Sequence, residues 1–264
     1  MARAESLRRV WGEGRTAFGM WATIPGFFGA EILAGSGVDY VCVDQQHGLI
    51  GFDAALPMFA AIRGAGAAPI TRVTRNDLGL INKSLDGGAV GVIIPLVNTP
   101  EDATRAVAAC RYPPHGVRSY GPMRAANVIG SGAPEDLERE ALCFVMIETR
   151  QALEQVDEIA ATPGLDGIYI GPADLAFSLG LTPTLEVTED IHIQAVRRIK
   201  QACDRHGIVA GIHSPDGEWA KRHAEAGFQL VTVAMDSAML REATLTEAFV
   251  ARAGQGTGDP GTPA

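Results

Sequence analysis

Residues able to do acid–base or metal chemistry recur at the ends of short apolar runs. Asp44 closes the run DYVCVD and leads through Gln45 and Gln46 to His47; Arg72 lies in APITRV, and Glu148 closes CFVMIE. Asp174 follows DGIYIG in the turn GPAD, and His213 closes IVAGIH. Glu148 and Asp174 are two carboxylates without an accompanying Cys or His cluster, a donor set that suits a hard or borderline divalent cation such as Mg2+ or Mn2+. Two protein ligands leave coordination positions for substrate and water, which a Lewis acid needs to polarise a carbonyl and hold an enolate. Taken singly, Glu148 has the alternative of an ion pair with Arg150, and Asp174 that of capping the helix-like stretch ADLAFSL. His47, beside Gly48, can serve as a base near neutral pH; the alternative is a loop histidine without a role. The other histidines, His115, His192, His206, His213 and His223, show that the residue type alone is not informative. Arg72 can stabilise oxyanion charge or simply close a buried ion pair.

These side chains need a scaffold that presents strand ends together. Eight β-branched runs are bounded by Gly, Pro or Asp: 17 to 23, 39 to 44, 68 to 73, 90 to 95, 143 to 148, 166 to 171, 208 to 213 and 229 to 234. Between them, segments such as 27 to 37, 52 to 66 and 99 to 113 carry apolar residues at three- and four-residue steps, the helical period. Strands alternating with helices predict parallel βαβ units. Eight of them predict an α/β (β/α)8 TIM barrel, whose chemistry sits at the C-terminal strand ends. A single domain is expected over 1 to 252, followed by a Gly/Pro-rich disordered tail over 253 to 264. One long Gly/Pro-rich connection, 111 to 135, interrupts the regularity and is expected to be functional or mobile.

The chain has 264 residues, 47% of them hydrophobic, and a formal net charge of −9. No basic field is available for nucleic acid or an anionic membrane. The apolar runs fall far short of the roughly 20 residues of a membrane helix. The first residues lack the apolar core of a secretory signal, so a cytoplasmic protein is expected. Cys42, Cys110, Cys143 and Cys203 lack any CxxC spacing and are read as reduced buried thiols.

The segments FFGAEILAGSGVDYVCVDQQHG, PITRVTRND, KSLDGGAVGVIIPLVNTPEDATRAV, RYPPHGVRS, VMIETRQAL and DGIYIGPADLAFSLG, spanning roughly 17 to 240, resemble the HpcH/HpaI family of class II pyruvate aldolases. These cleave 4-hydroxy-2-oxo acids to pyruvate and an aldehyde through a metal-held pyruvate enolate. The resemblance implies a divalent cation (Mg2+, Mn2+ or Co2+) on Glu148 and Asp174, and Arg72 beside the keto oxygen. It implies the substrate carboxylate at Gly171, Pro172, Ala173 and Asp174, and His47 as acid/base. Asp86 matches the carboxylate that raises the basicity of that histidine, with Asp44 a second candidate. No Schiff-base lysine is implied, and Lys83, Lys200 and Lys221 stand on no strand end. Gln46 and Met146 depart from the commoner pattern, which has an acidic residue and Gln there. Arg118, Tyr120 and Arg124 of the long connection are expected to read the aldehyde. The resemblance also implies a homohexamer with an exchanged C-terminal helix, to which 240 to 253 is suited. Competing readings are a CoA-thioester lyase of the citrate-lyase β or malyl-CoA type, oxaloacetate decarboxylation as a side activity, and an inert barrel used as a binding module.

Overall fold

The computed structural model describes residues 4–253. Its strands are β1 (Ala17–Ala22), β2 (Tyr40–Asp44), β3 (Ala68–Arg72), β4 (Gly91–Ile94), β5 (Leu142–Ile147), β6 (Gly167–Ile170), β7 (Val209–His213) and β8 (Leu230–Met235). They pair in sequence order, all parallel, and β1 closes on β8, so the sheet is a barrel as its alternation of elements predicts. The tail expected over 253 to 264 lies, from 254 on, outside the described residues.

Alternation along each strand divides the core. Tyr40, Cys42, Ile70, Phe144, Met146, Tyr169, Val209 and Leu230 fill the barrel interior, while Val41, Val43, Val92, Val145, Ile168 and Ile212 pack outward against helices. Large inward rings are accommodated by inward glycines. A Cβ at Gly19 would stand 2.4 Å from the Tyr40 ring, and one at Gly211 would stand 2.8 Å from the Tyr169 ring. The helix Ala4–Gly12, which the sequence reading does not anticipate, closes the strand-start end: Leu7 and Val10 join the interior cluster and Trp11 donates to the Gln229 carbonyl at 2.8 Å.

At the opposite end, short turns lead from strands into capped helices. Asp77, Thr99, Thr149 and Asp216 each accept a backbone N–H of the helix that follows, meeting donors that a helix start leaves open. The connection 111 to 135 lies elsewhere. It follows the helix Pro100–Cys110 and precedes β5, so it belongs to the strand-start end. It holds a helix, Met123–Ile129, and its arginines are spent on structure: Arg118 is buried on Asp86 at 2.7 Å, and Arg124 donates to the Gly87 carbonyl. Within its own barrel the connection therefore does not carry out the expected reading of an aldehyde by Arg118, Tyr120 and Arg124, because a helix-to-strand connection lies at the end away from where the strands finish.

Candidate active site

The inward positions at or just past the finishing ends of six of the eight strands carry the residues singled out above, joined by Trp21. Trp21 on β1, Asp44 on β2, Arg72 on β3, Glu148 just after β5, Gly171 just after β6 and His213 on β7 form one ring. A cavity of about 450 Å³ opens above it, bordered also by His47, Met146, Tyr169 and Asp174.

Glu148 is buried, and its Oε1 accepts the Leu96 N–H at 2.7 Å. Burial raises its carboxyl above the usual range, the Leu96 N–H opposes this, and the nearby Asp174 carboxylate pushes it further up. Leu96 holds a left-handed backbone, φ 54°, to aim that N–H. Gly171 approaches so closely that a Cβ there would be 2.9 Å from Glu148 Oε2. Arg150, the alternative partner of Glu148, instead donates to the Leu179 carbonyl. Asp174 lies in the first turn of the helix Pro172–Ser178, whose cap position is Gly171, so it is exposed to the cavity rather than engaged as a cap. Two neighbouring carboxylates, one of them buried and raised, are a donor set whose chemistry suits a divalent cation.

Asp44 has a different task. It grips Arg72 through Nε at 2.9 Å and Nη2 at 2.5 Å, accepts Trp21 Nε1 at 3.1 Å, and receives the backbone N–H groups of Gln46 and His47. Burial works against its charge, yet the hydrogen bonds and charge of Arg72 outweigh it and hold the carboxyl below the usual range. Arg72 borders the cavity, and its Nη1 has no hydrogen-bond partner among the described residues. Asp44 thus touches the backbone of His47 and orients Arg72, rather than partnering the imidazole. His47 is exposed at the cavity rim. Asp86 is not brought to it in this chain. It is the last residue of the helix Leu78–Asp86, which returns the chain to the strand-start end, and there it holds Arg118.

Residue types at strand ends do not reveal Trp21 or Leu96. Trp21 matters through parity, two residues after Gly19 on the inward face, where the Arg72 guanidinium lies 5.0 Å from its ring centroid. Leu96 matters through its backbone alone.

The sequence profile described as HpcH/HpaI aldolase/citrate lyase matches residues 18–243. The chain belongs to this family. Among curated members, it is 40% identical over 237 residues to a hydroxypyruvate/pyruvate aldolase of Rhizorhabdus wittichii, covering 90% of this chain and 94% of that one. It is 34% identical over 241 residues to a 5-keto-4-deoxy-D-glucarate aldolase of Citrobacter koseri, covering 89% and 92%. A solved HpcH/HpaI family protein from Burkholderia cenocepacia superposes with a TM-score of 0.87 at 30% identity, covering 94% of this chain and 99% of that one. In this family member Met146 stands inward, within reach of the cavity, and Gln46 has a buried Oε1 without a hydrogen-bond partner among the described residues.

Proposed function

We propose that this HpcH/HpaI family member is a divalent-metal-dependent aldolase that cleaves or forms 4-hydroxy-2-oxo acids, with pyruvate and an aldehyde on either side of the bond. The observation that carries this reading is the electrostatic pairing of buried Glu148 with Asp174, which borders the cavity, with no cationic side chain bonded to either among the described residues and Arg72 nearby. Relatives named as pyruvate, hydroxypyruvate and 5-keto-4-deoxy-D-glucarate aldolases support the reaction class.

Glu148 and Asp174 hold the cation, with Mg2+, Mn2+ and Co2+ all compatible with two oxygen donors. A divalent cation there supplies Lewis acidity to the carbonyl of a 2-oxo acid and charge to balance an enolate. Arg72 offers Nη1 to the keto oxygen, pre-set by Asp44, so that its charge meets the negative charge that develops there. The backbone at Gly171, Pro172 and Ala173 receives the carboxylate; the amides of Ala173 and Asp174 open a helix and have no partner within it. His47 takes the proton of the C4 hydroxyl, and the C3–C4 bond breaks to an aldehyde and the enolate of pyruvate. The proton taken by His47 balances the one that C3 gains, which completes pyruvate and restores neutral His47. Trp21 and Met146 wall the cavity and keep water from the enolate.

Pyruvate release from a panel of 4-hydroxy-2-oxo acids tests this, using chelator-stripped protein with and without Mn2+, Mg2+ or Co2+. Activity should require metal and fall at least a hundredfold in Glu148→Gln and in His47→Ala. Metal-independent turnover would sink the reading.

A homo-oligomer, a hexamer by family resemblance, is part of the proposal. It is supported by the helix Asp236–Arg252, which buries no residue and leaves Leu240, Leu245 and Phe249 exposed. Native mass should correspond to a hexamer, and Leu240→Glu with Phe249→Glu should shift it to smaller species. An unchanged mass would place the interface elsewhere.

A further inference from the structure

Below the ring of site residues runs a chain of hydroxyls that the aldolase reading leaves unused. Tyr40 Oη lies 2.8 Å from Thr232 Oγ1, Thr232 Oγ1 lies 2.6 Å from Tyr169 Oη, and Tyr169 Oη lies 3.4 Å from His213 Nδ1. Tyr40, Thr232 and Tyr169 are fully buried, and burial pushes both phenols well up, so all three protons stay in the chain. Each hydroxyl has one proton to give. Along these three contacts, the order that gives every hydroxyl proton an acceptor has Tyr40 donating to Thr232, Thr232 to Tyr169, and Tyr169 to His213 Nδ1, and folded interiors avoid a buried proton without one.

The far end of this chain decides the tautomer of His213. Burial, with the charge of Arg72 acting in the same direction, brings its pKa down to about 4, so the ring is neutral near pH 7. With Nδ1 accepting, its proton sits on Nε2. Among the described residues Nε2 has no partner, and it opens to the cavity. Its neighbours on the ring have committed donors: Trp21, edge-on to the imidazole with centroids 5.0 Å apart, gives its N–H to Asp44, as Arg72 gives Nε and Nη2.

We propose that His213 is a specificity-determining residue whose Nε2–H donates to a hydroxyl on the carbon next to the substrate's keto group, favouring 3-hydroxylated 2-oxo acids over pyruvate as the nucleophilic partner. This rests on the aldolase reading. With the keto and carboxylate oxygens drawn toward the β3, β5 and β6 side, the next carbon faces the β7 and β1 side. There Trp21 is an apolar wall, the Thr23 hydroxyl is engaged with Asp236 and Ser237, and the imidazole presents Nε2 without a partner among the described residues. A donor aimed at one hydroxyl discriminates because the substrate lacking it leaves the donor unpaired. Tyr169 is a positioning residue in this scheme, acting through the tautomer.

The test compares kcat/KM for addition of pyruvate and of hydroxypyruvate to one aldehyde, glycolaldehyde, by the Mn2+-loaded enzyme. His213→Leu should lower the hydroxypyruvate-to-pyruvate ratio about tenfold, and His213→Gln, which keeps an N–H near the Nε2 position, should recover most of it. Imidazole 15N NMR of the wild-type protein should find Nδ1 unprotonated and Nε2 protonated, with a mixture of tautomers in Tyr169→Phe. A ratio unchanged in His213→Leu, or a proton found on Nδ1, overturns the assignment. If His213→Leu does not fold, the Gln variant and the NMR spectrum still decide. Wild-type enzyme inactive on both donors overturns the aldolase reading and this proposal with it, whereas activity on both donors with an insensitive ratio overturns the role of His213 alone.

Discussion

Asp44 remains ionised in a site 1% exposed because Arg72, Trp21 and two backbone amides together outweigh the cost of its burial. Removing its charge while keeping its shape leaves the Arg72 guanidinium buried without a counter-charge, the situation in which breaking a buried pair is most costly. Asp44→Asn should therefore lose about 3 kcal/mol in denaturant unfolding. It should also lower kcat/KM at least tenfold through a misplaced Arg72, with metal affinity unchanged. A stable variant with weakened metal binding would mean that Asp44 belongs with Glu148 instead. Asp44 and Arg72 are legible in the sequence as polar residues on buried strands; that they neutralise one another is visible only in the barrel, where β2 and β3 place them in register.

At the scale of the element, the loop after β4 carries a strained backbone for the sake of one hydrogen bond. Leu96 has φ 54° and points its N–H at Glu148 Oε1. A β-carbon in the left-handed region costs roughly 1–2 kcal/mol, and such strain is found where the surrounding structure holds it in place for a site. Leu96→Gly keeps the N–H and relaxes the strain against a more mobile unfolded chain, so stability should change by less than about 1 kcal/mol with metal affinity retained. Leu96→Pro removes the N–H and forces φ negative. It should cost about 3 kcal/mol and weaken Mn2+ binding at least tenfold, read by calorimetric titration. Equal Mn2+ affinity in the two variants would mean that the Leu96 N–H does not hold Glu148 for the metal. The same scale places Asp86 and the 111 to 135 connection: they end or follow helices, and the direction of the element decides which end of their own barrel they face.

Across the whole molecule, three buried histidines, His192, His213 and His223, couple folding to pH, all lowered by burial. His213 and His223 are both held near 4 by burial, against about 6.5 in an unfolded chain. The unfolded state binds protons first, so this stability is fully present above about pH 6.5 and is lost as pH falls toward 4. The loss approaches ~1.4 kcal/mol per pH unit for each of His213 and His223 in that window. Glu148, raised by burial, works in the opposite sense. Urea unfolding of the metal-free protein at pH 7, 5.5 and 4.5 should show the decline, and His223→Gln should make it shallower. An equally steep slope in that variant would put the protons elsewhere.

What the sequence determined by itself is the alternation of eight apolar runs with helical segments, and with it the barrel, because period and length are local properties that backbone sterics and burial enforce. The same holds for Glu148, Arg72 and Asp174 as strand-end residues. Only the tertiary structure decided which of these polar groups neutralise one another, that Asp86 faces Arg118, that Leu96 serves through its N–H, and that a buried run of hydroxyls sets the proton of His213. Each of those depends on the register between strands and on the direction of helices, and so on contacts between residues far apart in the chain.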